Sequence, residues 1–160
     1  IVLPQKLQYL GNYAFRDCVE LKSITLPKGI TEIRSQTFMA CKSLESVTFL
    51  GEITSIESGA FEGCDSLKSF TFPKSVKTIE SYVLAYCDAL ETVVIPAGVE
   101  KIDMAAFREC KNLKILFEGT EEEWNSIKII DRDYVEYTVY FYTEMPENGW
   151  YYKDGELVVW

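Results

Sequence analysis

Apolar residues recur along this chain in columns whose members are 23 residues apart. The columns are Leu7, Ile30, Ile53, Val76 and Val99; Leu10, Ile33, Ile56, Ile79 and Ile102; Phe15, Phe38, Phe61, Leu84 and Phe107; Cys18, Cys41, Cys64, Cys87 and Cys110; Leu21, Leu44, Leu67, Leu90 and Leu113; Ile24, Val47, Phe70, Val93 and Leu116; and Leu26, Phe49, Phe72 and Ile95. A fixed interval kept by so many positions is typical of a repeat protein, in which each repeat is one structural unit.

The pattern within a unit predicts a short strand. Apolar and polar residues alternate in Ile24-Thr25-Leu26, as they do in a half-buried strand. Proline cannot donate to a strand ladder, so the prolines that follow this segment mark where the strand ends. They are Pro4, Pro27, Pro73 and Pro96. The third unit departs from the pattern, because it has Leu50-Gly51 where the others have proline.

A turn is predicted before each cysteine. A small residue precedes the aromatic position at Ala14, Ala60 and Ala106, which favours a tight helical turn that ends near the cysteine. The fourth unit has Val83-Leu84 at this point, between Tyr82 and Tyr86, and we expect its turn to differ.

One unit cannot bury its own apolar positions, whereas stacked units form a continuous core. Strands that pair between coils lie about 4.8 Å apart, so five units would build a rod on the order of 25 Å long. We therefore predict a leucine-rich-repeat right-handed solenoid, a β-rich α/β fold with short parallel strands and short helical turns, over residues 1–116. A C-terminal cap would follow over 117–142, and an aromatic hairpin or tail over 143–160.

The unit LxxIxLPxxLxxIxxxAFxxCxxL resembles the BspA-like leucine-rich repeat of bacterial surface proteins, over roughly residues 1–118. The resemblance implies a secreted or surface-attached protein that takes part in adhesion to host or matrix proteins. It thus implies an extracellular protein-interaction scaffold without catalysis.

The segment after the repeats has the features of a terminal cap. Thr120 and Glu123 have the spacing of a capping box, and the acidic first turn suits the start of a helix. We expect a short helix near 121–127 and a strand near 137–142. The stretch GTEEEWNSI also resembles the cap that often follows such repeats.

The last residues predict a β-hairpin. Asp154-Gly155 lies between two apolar, aromatic-rich runs, which is a strong hairpin signal. The segment GWYYKDGELVVW is loosely similar to choline-binding repeats of cell-wall proteins, whose aromatic residues surround a quaternary ammonium. A hairpin that packs its aromatic residues on the cap is the alternative.

Composition and charge disfavour nucleic acids and membranes as partners. The net charge is -9, with 16 basic residues dispersed among 25 acidic ones, whereas binding to phosphate backbones needs clustered lysine and arginine. No apolar run reaches the length of about 18 residues that a membrane span requires. The chain begins at Ile1, within a repeat, which suggests a fragment of a longer secreted chain. We expect a monomer.

Neither a metal site nor catalysis is expected. The cysteine spacing has no CxxC pattern and the chain has no histidine, so the usual zinc ligands and the usual general base are missing. We expect five reduced, buried cysteines and no cofactor. Carboxylate chemistry would have to use Asp131 and Asp133, or Glu121 to Glu123. We favour a solvated turn for Asp131 and Asp133, and a helix start for Glu121 to Glu123.

The outward positions of the strands form the candidate binding surface. With the apolar columns inward, they are Ser23, Ser46, Ser69 and Thr92 in one column, and Thr25, Thr48, Thr71, Val94 and Phe117 in the other. We expect a flat, neutral strip that ends in apolar residues, including Ile115. Beside it, Lys22, Glu45, Lys68, Glu91 and Lys114 alternate in charge, which would fix the strand register.

Three functions remain open on this basis. The first is an adhesin-like binding module whose partner is a host or matrix protein, or a glycan. The second is a structural spacer in a larger surface protein. The third is a carbohydrate-binding module or a carboxylate-dependent enzyme.

Overall fold

The repeats fold into coils whose short strands lie parallel to those of the next coil. The structure, a computed structural model, describes residues 1–130, 137–142, 150–153 and 156–159. In chain order the elements are β1 (Ser23–Leu26), β2 (Glu32–Ile33), β3 (Ser46–Phe49), β4 (Ser55–Ile56), β5 (Ser69–Thr71), β6 (Thr78–Ile79), β7 (Thr92–Pro96), β8 (Lys101–Ile102), β9 (Lys114–Glu118), α1 (Glu121–Ser126), β10 (Lys128–Ile129), β11 (Thr138–Phe141), β12 (Trp150–Lys153) and β13 (Glu156–Val159). The predicted leucine-rich-repeat solenoid of parallel strands is confirmed.

Two walls of the solenoid are β-sheets. The odd-numbered strands from β1 to β11 form the first wall, and the even-numbered strands from β2 to β10 form the second. Equivalent residues lie side by side, such as Ile24 with Val47 and Ile33 with Ile56. Both walls are interrupted at the same level, because β3 does not pair with β5 and β4 does not pair with β6. The break separates the third coil (β3 and β4) from the fourth (β5 and β6).

The third wall is built from turns, and it replaces the helical turn that the sequence predicts. Each of five coils has two residues with positive φ, four positions apart. They are Tyr13 and Asp17, Gln36 and Ala40, Gly59 and Gly63, Tyr82 and Tyr86, and Ala105 and Glu109. Left-handed residues prevent a continuous helix. Most of their N–H groups instead donate to the next coil, as Ala40 does to the carbonyl of Glu62 at 2.7 Å.

The fourth coil keeps this turn conformation despite its different sequence. Tyr82 and Tyr86 both have a φ of 58°, and the N–H of Tyr86 donates to the carbonyl of Arg108 at 2.7 Å. The expectation of a different turn there is therefore wrong. Inter-coil hydrogen bonds determine the backbone at this point, whatever the side chain.

The apolar columns fill the space between the walls. Leu26, Ile33, Phe38 and Cys41 are fully buried, as are most of their equivalents in later coils. The phenylalanine column forms a stack in the first three coils, with ring centroids 5.4 Å apart for Phe15 and Phe38 and 5.2 Å apart for Phe38 and Phe61. The rings are nearly parallel, so one aromatic column connects the cores of these coils.

The strand register shifts by one residue at β9. Val93 pairs with Ile115 and Ile95 pairs with Phe117, which is one residue short of the 23-residue period. The sequence-based alignment placed Leu116 in the inward column and Phe117 in the outward one, and this assignment is wrong. Ile115 and Phe117 point into the core and are fully buried, while Leu116 lies in the outward column beside Val94.

The segment after β9 continues the solenoid. Helix α1 begins at the expected place: the Thr120 side chain accepts the N–H of Glu123, and the Glu123 carboxylate accepts the N–H of Thr120 at 2.8 Å. Beyond it, β10 adds to the second wall and β11 adds to the first. The predicted helix and strand are confirmed to within one residue at each end. However, this segment extends both sheets, although no repeat is visible in its sequence.

The predicted C-terminal hairpin is confirmed in its backbone pairing. Strands β12 and β13 pair antiparallel, with Trp150 opposite Val159 and Lys153 opposite Glu156. The turn at Asp154 and Gly155 lies outside the described residues.

Candidate binding surface

The outer face of the first wall presents most of the predicted strip. Ser23, Thr25, Ser46, Thr48, Ser69 and Thr71 are exposed, and Thr92 is half-buried. The strand register places Ser23 beside Ser46 and Thr25 beside Thr48. On the other side of the break, Ser69 lies beside Thr92 and Thr71 beside Val94. We call the six exposed residues the Ser/Thr strip.

The expected apolar end of this strip is not on the surface. Val94 is only 6% exposed, because it packs with Leu116, Tyr140 and Tyr142 in a small cluster on the outside of the wall. Phe117 is buried on the inner side, where its ring lies 5.3 Å from that of Trp124. Neither residue is therefore available to a partner, and the Ser/Thr strip ends at Ser69 and Thr71.

The charged column beside the strip does not form ion pairs between its members in the described part of the chain. The register shift also removes Lys114 from this column, because it pairs with Thr92. Glu45 and Lys68 are exposed and lie at the level of the break between the coils. Their charges are consequently available to a partner.

A cleft of about 470 Å³ opens in the first wall, where β3 and β5 do not pair. It is lined by Glu45, Ser46, Val47, Phe49, Gly51, Leu67, Ser69, Phe70, Thr71 and Pro73. Val47 and Phe49 are half-buried, although the equivalent residues of β1, Ile24 and Leu26, are buried. The cleft therefore gives access to apolar core side chains from the middle of the Ser/Thr strip.

The cleft follows from the departure at Leu50-Gly51. In other coils the proline carbonyl accepts a hydrogen bond from the N–H three residues later, as Pro27 does from Ile30 at 3.0 Å. In the described part of the chain, the N–H of Ile53 makes no such bond to the carbonyl of Leu50. Unlike proline, Leu50 has an N–H, which donates to the carbonyl of Leu26 at 3.0 Å. The third coil is thereby held against the second, on the side away from the fourth.

Large side chains also separate the two strands. Phe49 and Phe70 are in edge-to-face contact across the break, with ring centroids 6.3 Å apart, and Phe72 lies against Phe70. In β7 the equivalent inward positions are Val93 and Ile95. Three phenyl rings therefore lie at the break, whereas β7, which is paired on both sides, has smaller residues at the equivalent inward positions.

Serine side chains connect the third and fourth coils before β5 and after it. The Ser66 hydroxyl donates to the carbonyl of Lys42 at 2.8 Å, and the Ser75 hydroxyl donates to the carbonyl of Ile53 at 2.7 Å. On the third wall, the N–H of Gly63 donates to the carbonyl of Ala85 at 2.9 Å. The cleft is therefore a bounded opening in one wall, and the coils stay connected around it. The departure at Leu50-Gly51, from which the cleft follows, is visible in the sequence, but a cleft was not predicted from it.

The cysteine column is structural. All five cysteines are free thiols, and each of the last four donates to the carbonyl of the phenylalanine or leucine in the preceding coil, such as Cys64 to Phe38 at 3.3 Å. Burial raises the pKa of Cys41 and Cys110 to about 11, and burial also raises the pKa of Cys64 and Cys87. These four thiols are buried and unreactive at neutral pH. Cys18 is only partly buried, contrary to the expectation for all five.

The candidate carboxylates are placed as follows. Glu123 caps α1, while Glu121 and Glu122 lie in its acidic first turn. Asp131 and Asp133 are outside the described residues. Over the ranges that are described, no group of three or more ligand-type residues could hold a metal ion, and no helix has the length and apolarity of a membrane span.

The sequence interpretation missed a column of carboxylates, formed by Glu57, Glu80 and Asp103. Glu57 accepts the N–H of Ser35 at 2.9 Å, so its carboxylate connects adjacent coils. Burial raises the pKa of Glu80, and the neighbouring charges of Glu57 and Asp103 raise it further. Because this column links coils through backbone hydrogen bonds, its role is structural.

The chain matches the family model described as the BspA type leucine rich repeat region, in six copies over residues 1–114. It is 32% identical to a leucine rich cell surface protein from Faecalibacterium prausnitzii A2-165, with a TM-score of 0.72 over 79% of this chain and 34% of that one. It is 28% identical to the T. pallidum leucine rich repeat protein, with a TM-score of 0.60 over 73% of this chain and 72% of that one.

The Pneumococcal vaccine antigen PcpA shares the fold, with 20% identity and a TM-score of 0.61 over 79% of this chain and 40% of that one. No curated protein sequence matches the chain. The chain spans only 34% of the length of the Faecalibacterium protein. The family model covers well over half of the chain, over the same residues as the coils described above. This chain therefore belongs to the family of BspA-type leucine-rich-repeat proteins.

Proposed function

We propose that this chain is a non-catalytic protein-interaction scaffold of a bacterial cell surface, and that its partner binds to the Ser/Thr strip. The observation that carries the proposal is the exposure of six small hydroxyl residues on the first wall, four of them in register between β1 and β3. These side chains are neutral, and they offer hydrogen-bond donors and acceptors on both sides of the cleft. Solenoids commonly bind on extended surfaces that are built by repetition.

The family and one relative support the kind of partner that we propose. The Faecalibacterium protein is described as a cell surface protein, which supports an extracellular location for this chain. The partner is then a host or matrix protein. A glycan is the alternative ligand, since hydroxyl rows can also bind sugars.

The test compares binding of the purified chain to immobilised matrix proteins and to a glycan array. The double variant Thr25→Arg, Thr48→Arg adds two bulky charges to the strip, and neither residue lines the cleft. Desolvating unpaired charges in an interface is unfavourable, so we expect binding to fall by at least about tenfold. The matched control, Thr31→Arg with Met104→Arg, changes exposed residues outside the first wall.

Equal binding by the strip variant and the unmodified chain would reject the Ser/Thr strip as the partner surface. Binding only on the glycan array, with loss in the strip variant, would replace the protein partner by a sugar. Circular dichroism and thermal unfolding of both variants establish that the fold is retained.

A further inference from the structure

Three properties of the cleft between β3 and β5 indicate which kind of ligand it fits. Its floor is apolar and aromatic, formed by Val47, Phe49 and Phe70. Its rim is polar, with Ser46, Ser69 and Thr71. Its volume of about 470 Å³ lies within the range of about 300–1,000 Å³ that is typical of ligand pockets. It can accept one or two large apolar side chains.

The strand edges at the cleft also have unused backbone groups. In the flanking coils the N–H of Glu45 donates to the carbonyl of Lys22 at 2.8 Å, and the N–H of Glu91 donates to the carbonyl of Lys68 at 2.9 Å. In the described part of the chain, the N–H of Lys68 does not donate to the carbonyl of Glu45. Unpaired strand edges bind extended peptides through main-chain hydrogen bonds, and side-chain pockets then supply specificity.

Charge distinguishes among such peptides. Glu45 is the one charged residue that lines the cleft, and it forms no ion pair with the described residues. The whole chain carries a net charge of -9, which attracts basic partners during encounter. A lysine or arginine beside the apolar anchor would be placed near Glu45.

We propose that the cleft binds an extended peptide segment of a partner protein, with a large apolar side chain on Phe49 and Phe70 and a basic residue beside Glu45. This inference deepens the proposed function and rests on it for the identity of the partner as a protein. The peptide is the part of the partner that enters the wall, whereas the Ser/Thr strip contacts the surface around it.

The test uses three short synthetic peptides with a threonine-rich background. One has a central leucine followed by lysine, the second has leucine followed by glutamate, and the third has serine followed by lysine. Fluorescence anisotropy is expected to give the tightest binding for the leucine–lysine peptide, by about tenfold over each of the others. Chemical-shift changes in a labelled sample are expected at the amides of β3 and β5.

Two pairs of variants locate the site. Glu45→Lys should reverse the preference between the lysine and glutamate peptides, whereas Glu91→Lys, at the equivalent exposed position outside the cleft, should leave the preference unchanged. Thr71→Arg should obstruct the mouth of the cleft and weaken binding by about tenfold, whereas Thr25→Arg should not. Equal effects of Glu45→Lys and Glu91→Lys would overturn the proposal, because they would indicate a general charge effect.

The cleft and the strip can fail separately. If no peptide binds more tightly than the serine peptide, while the Thr25→Arg, Thr48→Arg variant still loses its matrix-protein partner, the cleft proposal is wrong and the proposed function stands. If peptides bind as expected but the strip variant keeps its matrix partner, the strip is wrong and the cleft remains.

Discussion

Phe38→Ala is expected to lower the free energy of unfolding by about 3–5 kcal/mol. Phe38 is fully buried, and its ring is stacked between Phe15 and Phe61 at centroid distances of 5.4 Å and 5.2 Å. Its removal leaves a cavity at the centre of the aromatic column and deletes two ring contacts. The backbone N–H of Phe38 donates to the carbonyl of Ala60, so the surrounding turns are fixed and cannot easily collapse into the cavity.

The matched control is Phe15→Ala, at the first position of the same column. Phe15 is half-buried and has one stacking partner, so about half the loss is expected. Urea unfolding of both variants, followed by circular dichroism, gives the two free energies. A loss at Phe15 equal to that at Phe38 would contradict the stacked arrangement.

Gly51→Ala is expected to destabilise the chain by about 1–3 kcal/mol through overpacking. A Cβ at Gly51 would lie 2.5 Å from the carbonyl oxygen of Lys28 and 2.9 Å from its carbonyl carbon and Cα. These are backbone atoms, so relief requires the corner of the third coil to move away from the second. Such a movement would also break the hydrogen bond from Leu50 to Leu26.

Gly11→Ala is the control for this substitution, because a Cβ there would meet only Tyr9 Cε1, at 3.8 Å. That distance is an ordinary contact, and the loss of backbone freedom in the unfolded chain favours a small stabilisation of about 0.4–1 kcal/mol. The two urea midpoints should therefore move in opposite directions. A Gly51→Ala midpoint equal to that of the unmodified chain would refute the close approach of the two corners.

The 23-residue period predicts the stacking, the inward columns and the strip, because each is a direct consequence of periodic apolar positions. The period does not determine which residues point inward where neighbouring residues are all apolar. In Ile115-Leu116-Phe117 every residue is apolar, so the one-residue shift in β9 leaves the pattern of apolar positions unchanged. Only pairing with β7 shows that Phe117 points inward.

The turns and the cleft exceed what the pattern can predict, for different reasons. Alanine before an aromatic residue favours a helical turn locally, but the hydrogen bonds to the next coil impose left-handed residues. Gly59 and Gly63, four positions apart, are the one sequence signal of this conformation. Predicting the cleft requires knowing how Leu50, Gly51 and the phenyl rings pack together. The sequence of a single repeat does not show this packing.

The first wall is open between the third and fourth coils, within a face that otherwise pairs continuously. Site-resolved amide hydrogen exchange tests it at three equivalent positions, Glu45, Lys68 and Glu91. The amides of Glu45 and Glu91 are hydrogen-bonded to the preceding coil and should be protected, whereas the amide of Lys68 should exchange at least about a hundredfold faster. Equal protection at all three would show that β3 and β5 pair in solution, and it would contradict the cleft and the peptide site derived from it.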